Sequence, residues 1–319
     1  MWATKEDGML KRIAAVVLAL LVVNSSQASL TIAFDFSAGT EPRTDVVLAP
    51  ENQAIFNSAA AFWETAITGY ADGASRTVTI NATAFDEGPV GGGITLGFAG
   101  PTTATNFLAG GTGFTTAATG IASFNINSAA VGAPAAGNTQ GLLNELTIRH
   151  EIGHILGIGT LWDFGFNDLY DDGTGQYFGA NGLAAYQNEF DPSATFVPVE
   201  LDGGPGTENG HWNEVNDNFA VENEPGFDSD PGDDVAAPTV RFGPNSGLSL
   251  DDELLSGVLS GSAFLSDTSL GAFQDLGFTT IPFQAIAVPE PGSAVVLLLT
   301  CVGVTLRRRR QRFRRRRQR

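Results

Sequence analysis

Apolar and polar residues alternate over residues 29–36, with Leu30, Ile32, Phe34 and Phe36 in phase, and this pattern predicts a first strand. Pro50 then opens a stretch in which Ile55, Ala59, Phe62, Trp63 and Ala66 recur at helical spacing; proline suits the first turn of a helix. Alternation returns over residues 76–83, around Val78 and Ile80, as a second strand. A third strand is expected within residues 91–98, after a glycine-rich turn, and a fourth over residues 121–126. The strongest helical pattern covers residues 142–156, where Leu143, Leu146, Ile148, Ile152 and Ile155 are apolar. After Gly159 the texture changes. Glycine, aspartate and asparagine dominate to about Asp234, with short helical pieces such as residues 182–187. Order returns over residues 249–255 and 269–277, the latter a helix with glycine just past its end. No internal repeat and no long linker interrupts the pattern before Pro282.

The two ends follow another logic. Lys11 and Arg12 precede an apolar run over residues 13–23 and a small-residue segment ending at Ala28, which reads as a signal peptide over residues 1–28. At the other end, Val288-Pro289-Glu290-Pro291-Gly292-Ser293 leads into an apolar run over residues 294–306 and then ten arginines between Arg307 and Arg319. The run is short for a full membrane span, but the arginines can snorkel and hold its end on the cytoplasmic side. Motif, apolar segment and basic end, over residues 288–319, resemble the PEP-CTERM sorting signal of Gram-negative bacteria. That resemblance implies an exosortase-type sorting machinery as a partner and membrane contact only through the tail before processing. The processed protein is then expected outside the cell or on its surface.

Residues 29–287 remain as one expected domain. They carry four basic side chains, Arg43, Arg76, Arg149 and Arg241, against 32 acidic ones. So acidic a body repels nucleic acid and anionic membranes, which excludes nucleic acid as a partner. The single cysteine, Cys301, lies in the apolar run of the tail, so no intramolecular disulfide can form.

The chemistry is concentrated in His150-Glu151-Ile152-Gly153-His154. Two histidines four apart share one face of a helix and can converge on one zinc ion. Glu151, beside the first of them, can act as general base toward a zinc-activated water. A catalytic zinc takes three protein ligands and keeps one position open. The compact long motif would put a third histidine six residues after His154, but that position is Thr160. Only His211 remains, in a glycine-rich loop able to bend back toward the helix. A carboxylate from Asp163, Asp171 or Glu189 is the rival third ligand, although none stands in a recognisable ligand helix. Gly157 and Gly159 are expected to end the helix and let the chain turn beneath the metal.

These segments resemble the leishmanolysin-like metzincins: residues 150–162, the Gly-His-Trp-Asn-Glu core around His211, Glu253-Leu254-Leu255-Ser256-Gly257, and Phe273-Gln274-Asp275-Leu276-Gly277. That family interrupts its zinc motif before the third histidine, as happens here between Gly157 and His211. The resemblance implies an α+β metzincin fold, with a twisted mixed sheet and two long helices followed by an irregular C-terminal subdomain. It also implies endopeptidase activity on protein or peptide substrates, with Ile94, Thr95, Leu96, Gly97 and Phe98 as the edge strand that pairs with the substrate. The family's Met-turn methionine is replaced: Leu255 stands in that slot, and similar apolar volume lets the turn persist.

Other features are weaker. Asp168, Asp171 and Asp172, and Asp228, Asp230, Asp233 and Asp234, offer oxygen ligands for calcium, but neither group follows the EF-hand order, and solvated acidic loops compete as the reading. Trp162 and Trp212 suit either a cleft wall or the core. A non-catalytic, metal-stabilised extracellular matrix or surface protein is the main functional rival, and zinc-dependent hydrolysis of a non-peptide bond a further one.

Overall fold

In the computed structural model, the alternation near the start of the domain becomes β1 (Leu30–Asp35), with Leu30 and Ile32 buried. The structure describes residues 28–39, 43–87, 96–127, 140–201, 206–213, 238–257 and 263–282. These belong to a unit that ends at Pro282; the predicted signal peptide up to Gln27 and the sorting tail lie outside the described residues.

β1 runs parallel to β3 (Arg76–Phe85), which runs parallel to β5 (Thr112–Asn125). The sheet is completed by β4 (Gly97–Ala109), antiparallel to β5, giving the order β1-β3-β5-β4 and a mixed sheet. β4 and β5 form a far longer hairpin than the two short strands predicted at 91–98 and 121–126. Gly110 (φ 58) and Gly111 (φ 91) make its turn, the two adjacent positive-φ positions that a tight two-residue hairpin requires. Most of the two strands carries no apolar alternation because threonine, alanine and glycine fill them, and beside Phe107 and Phe124 the buried positions hold small side chains such as Ala117 and Ala122. Pro101 lies in the edge strand β4 beside a register irregularity at Thr103, the setting in which a strand tolerates a residue without an N–H.

Two long helices cover this sheet's site-bearing side. The first, α1 (Pro50–Ala66), buries Phe56, Ala59, Trp63 and Ala66. The second, α2 (Glu145–Leu156), starts three residues later than its pattern suggests, because the Asn144 side chain accepts the Leu146 N–H and caps the first turn. α2 approaches β5 closely: a Cβ on Gly120 would collide with Ile155 Cγ2. Trp63 ties the helices together, donating its indole N–H to the Arg149 carbonyl at 2.8 Å.

The second half is built from short pieces. β6 (Tyr170–Asp171), β7 (Gln176–Tyr177) and β8 (Val197–Pro198) form a small antiparallel sheet. The helix α3 (Ala180–Glu189) packs on α4 (Asp267–Asp275) so tightly that a Cβ on Gly271 would stand 2.6 Å from the Asn181 carbonyl oxygen. Asp275 locks the pair, accepting from Asn181 N–H (2.9 Å), Gly182 N–H (2.8 Å) and the Tyr177 hydroxyl (3.0 Å). The chain then returns as β9 (Phe278–Thr280), antiparallel to β2 (Ile67–Tyr70). Trp162 and Trp212 are buried with ring centroids 5.0 Å apart, so both are core residues and not cleft wall. A mixed sheet with four α-helices among the described residues places the fold in the α+β class. No helix among the described residues is long and apolar enough to cross a membrane.

Candidate metal centre

His150 and His154 occupy the same face of α2, one turn apart, as the four-residue spacing requires. His211 joins them from the loop over residues 206–213. All three are buried, and their Nε2 atoms lie 3.0 Å (150–154), 3.0 Å (154–211) and 3.1 Å (150–211) from one another. Among the described residues this is the one cluster of three or more potential metal-ligating side chains. The rivals for the third position are elsewhere: Asp163 and Asp171 are exposed, and the Glu189 carboxylate accepts from Thr268 N–H and Oγ1. Asp168, Asp171 and Asp172 do not converge either, so the calcium expectation gains nothing there; the group from Asp228 to Asp234 lies outside the described residues.

Backbone carbonyls decide the protonation state of the three rings. His150 Nδ1 lies 2.7 Å from the Leu254 oxygen, His154 Nδ1 3.0 Å from the Ile158 oxygen, and His211 Nδ1 2.8 Å from the Thr207 oxygen. A carbonyl oxygen only accepts, so each Nδ1 carries the hydrogen and each Nε2 is left with a lone pair. Three lone pairs then face one another with no hydrogen between them. That donor set fits a metal ion, which would offset the mutual repulsion of the lone pairs. Burial and the neighbouring rings push the His150 pKa well below the ordinary histidine value. Burial lowers that of His154 as well, and burial with the His154 ring lowers that of His211 to about 3. The rings are thus neutral, ligand-ready imidazoles across the physiological range.

Glycines bring the segments together. α2 ends at Gly157, whose N–H bonds back to the Gly153 and His154 carbonyls. Gly159 adopts φ 70, and its backbone touches that of Gly210, immediately before His211. Asn209, also left-handed at φ 62, fixes the same loop by accepting from the Tyr170 hydroxyl (2.5 Å) and Gly173 N–H (3.1 Å). Beneath the rings lies the Leu254-Leu255 turn. A Cβ on Gly153 would stand 2.5 Å from Leu255 Cδ2 and 3.2 Å from Trp63 Cζ2, so only glycine lets this turn press against α2.

Glu151 is half-buried and has no hydrogen-bond or ion-pair partner among the described residues; desolvation pushes its pKa up to about 7. Of the expected edge strand, Gly97 and Phe98 begin β4 and Leu96 just precedes it, while Ile94 and Thr95 lie outside the described residues.

Two elements of the site went unread in the sequence. One is the Asn209 anchor, for which the Asn-Gly dipeptide was the available signal. The other is Glu253, the last of three consecutive acids and the one that directly precedes Leu254 and Leu255. It is fully buried, and it accepts from Leu255 N–H, Ser266 N–H (3.0 Å), Ser266 Oγ (2.9 Å) and Ser269 Oγ (2.7 Å). Burial raises its pKa, and the four donors pull it back. The chain matches no family model, no curated protein and no solved structure.

Proposed function

We propose that this protein is a secreted, zinc-dependent endopeptidase of the metzincin type. The observation that carries the reading is the trio of unprotonated Nε2 atoms at 3.0–3.1 Å from one another. Zinc bound tetrahedrally at 2.0–2.1 Å from each nitrogen sets ligand separations of about 3.4 Å, so a small relaxation of the rings accommodates it. An all-imidazole set suits zinc better than calcium or magnesium, which prefer oxygen. Three protein ligands leave a fourth position open, the pattern of catalytic rather than structural zinc. Bound zinc supplies Lewis acidity, polarising a substrate carbonyl and acidifying water.

The remaining work falls to the chain. Glu151, adjacent to His150, would take a proton from the attacking water on its carboxylate and return it to the leaving amine. His150, His154 and His211 stay neutral and oriented by their carbonyl partners. The outer edge of β4, which pairs only with β5 among the described residues, can add an extended peptide as a further strand. The signal peptide and sorting tail expected from the sequence support an activity outside the cell.

Casein hydrolysis with and without a chelator tests the proposal. Activity is expected to vanish with the chelator, to return with zinc, and to fall about 10²–10⁴-fold in Glu151→Ala. Zinc binding with no cleavage across a broad peptide library would instead identify a non-catalytic, metal-stabilised surface protein.

A further inference from the structure

The Leu254–Leu255 peptide unit is held from both sides. Its carbonyl oxygen accepts from His150 Nδ1 at 2.7 Å, and its N–H donates to Glu253 Oε2. A carboxylate on the N–H side of a peptide polarises the unit and strengthens its carbonyl as an acceptor. The other oxygen, Glu253 Oε1, accepts from Ser269 Oγ at 2.7 Å. Ser269 Oγ in turn accepts from Trp212 Nε1 at 2.8 Å. Indole nitrogen is a donor only, so the order of these bonds is fixed: Trp212 to Ser269 to Glu253. Trp212 follows His211 directly, and its own backbone N–H donates to the Leu255 carbonyl at 3.1 Å. One buried carboxylate therefore grips the peptide that orients the first histidine and the side chain that follows the third.

We propose that Glu253 is a positioning residue of the metal centre, acting through the Leu254–Leu255 peptide on His150 and through Ser269 and Trp212 on His211. It touches no metal and no substrate. It presets the approach of α2 and the His211 loop, segments far apart in sequence, and raises the donor strength of the His150 ring. Glutamine cannot replace it. The oxygen that accepts three hydrogens must remain an oxygen, so the amide nitrogen would meet the Leu255 N–H, donor against donor. The inference rests on the proposed zinc site, and the experiment separates the two.

The full chain, freed of metal, is titrated with zinc against a chromophoric chelator, and its fold without metal is followed by circular dichroism and thermal melting. Glu253→Gln is expected to weaken zinc binding by about 10–100-fold while the metal-free protein stays folded. Ser269→Ala, which cuts only the link from Trp212, is expected to weaken it by about threefold to tenfold. A purely structural role would lower the melting temperature and leave the zinc affinity of the folded protein unchanged. Zinc affinity within about twofold of the wild type in folded Glu253→Gln overturns the inference; if that variant does not fold, the same result in Ser269→Ala overturns it. A wild-type chain that binds no zinc sinks the underlying reading of the site instead.

Discussion

Gly159 and Gly210 meet backbone to backbone: a Cβ on Gly159 would stand 2.5 Å from the Gly210 Cα. The turn after α2 and the residue before His211 are thereby in contact, although some fifty residues separate them in sequence. Gly159→Ala meets both this contact and an unfavourable φ of 70. It is expected to displace His211 and weaken zinc binding by about tenfold or more, with helix content retained. Chelator competition measures the first and circular dichroism the second; wild-type affinity would mean that this contact does not place the ligand.

Gly153 makes a comparable demand from inside the helix. Alanine is intrinsically favoured over glycine there by about 1 kcal/mol, but its Cβ has no room beside Leu255 and Trp63. Gly153→Ala is expected to cost about 1–3 kcal/mol of stability through overpacking. Leu255→Ala in the same chain is expected to relieve part of that cost, a non-additivity that urea denaturation of the double-mutant cycle reads directly.

Leu255 itself is fully buried against α2, in the slot where the proposed metzincin type would carry methionine. Leucine and methionine have similar volume, so Leu255→Met is expected to change unfolding free energy by less than about 1.5 kcal/mol. Zinc affinity and casein hydrolysis are expected to stay within about threefold of the wild type. A large gain in hydrolysis would show that the sulfur, not the apolar volume, matters at this turn.

The histidine cluster was more legible than the fold around it. His150 and His154 announce themselves because a four-residue spacing in an apolar helix has a direct geometric meaning. His211 followed by elimination, since no other histidine remained. The helices α1, α2, α3 and α4 were also visible, because each buries a periodic apolar stripe or carries a clear stop signal. The β4–β5 hairpin was mostly invisible: apart from Phe107 and Phe124, its buried positions hold residues as small as Ala117, Gly120 and Ala122, which do not register as an apolar alternation. Its Gly110-Gly111 dipeptide is the turn signal that the sequence carries there. The carbonyls of Leu254, Ile158 and Thr207, which fix the histidine tautomers, could not be read at all, because main-chain partners leave no mark in side-chain identity.

Glu189 gives the fold a pH dependence with a definite sign. Burial raises its pKa from the ordinary 4.5 to about 7. Between those values the folded protein binds more protons than the unfolded chain, so this residue's contribution to stability falls as pH rises through the window. Both Thr268 bonds go to Oε2, which a glutamine oxygen can replace. Glu189→Gln is expected to match the wild type below about pH 4.5 and to exceed it by on the order of 2 kcal/mol above pH 7. Urea midpoints of both proteins across pH 4–8 test this, with the histidine contribution common to both; parallel curves would mean that Glu189 ionises freely within the fold.

The most direct test is an anomalous difference map at the zinc absorption edge from crystals of the metal-loaded protein. The expected result is a single strong peak about 2.0–2.1 Å from Nε2 of each of His150, His154 and His211. A peak held by a carboxylate with His211 turned away, or no peak between the three rings at full zinc loading, contradicts it.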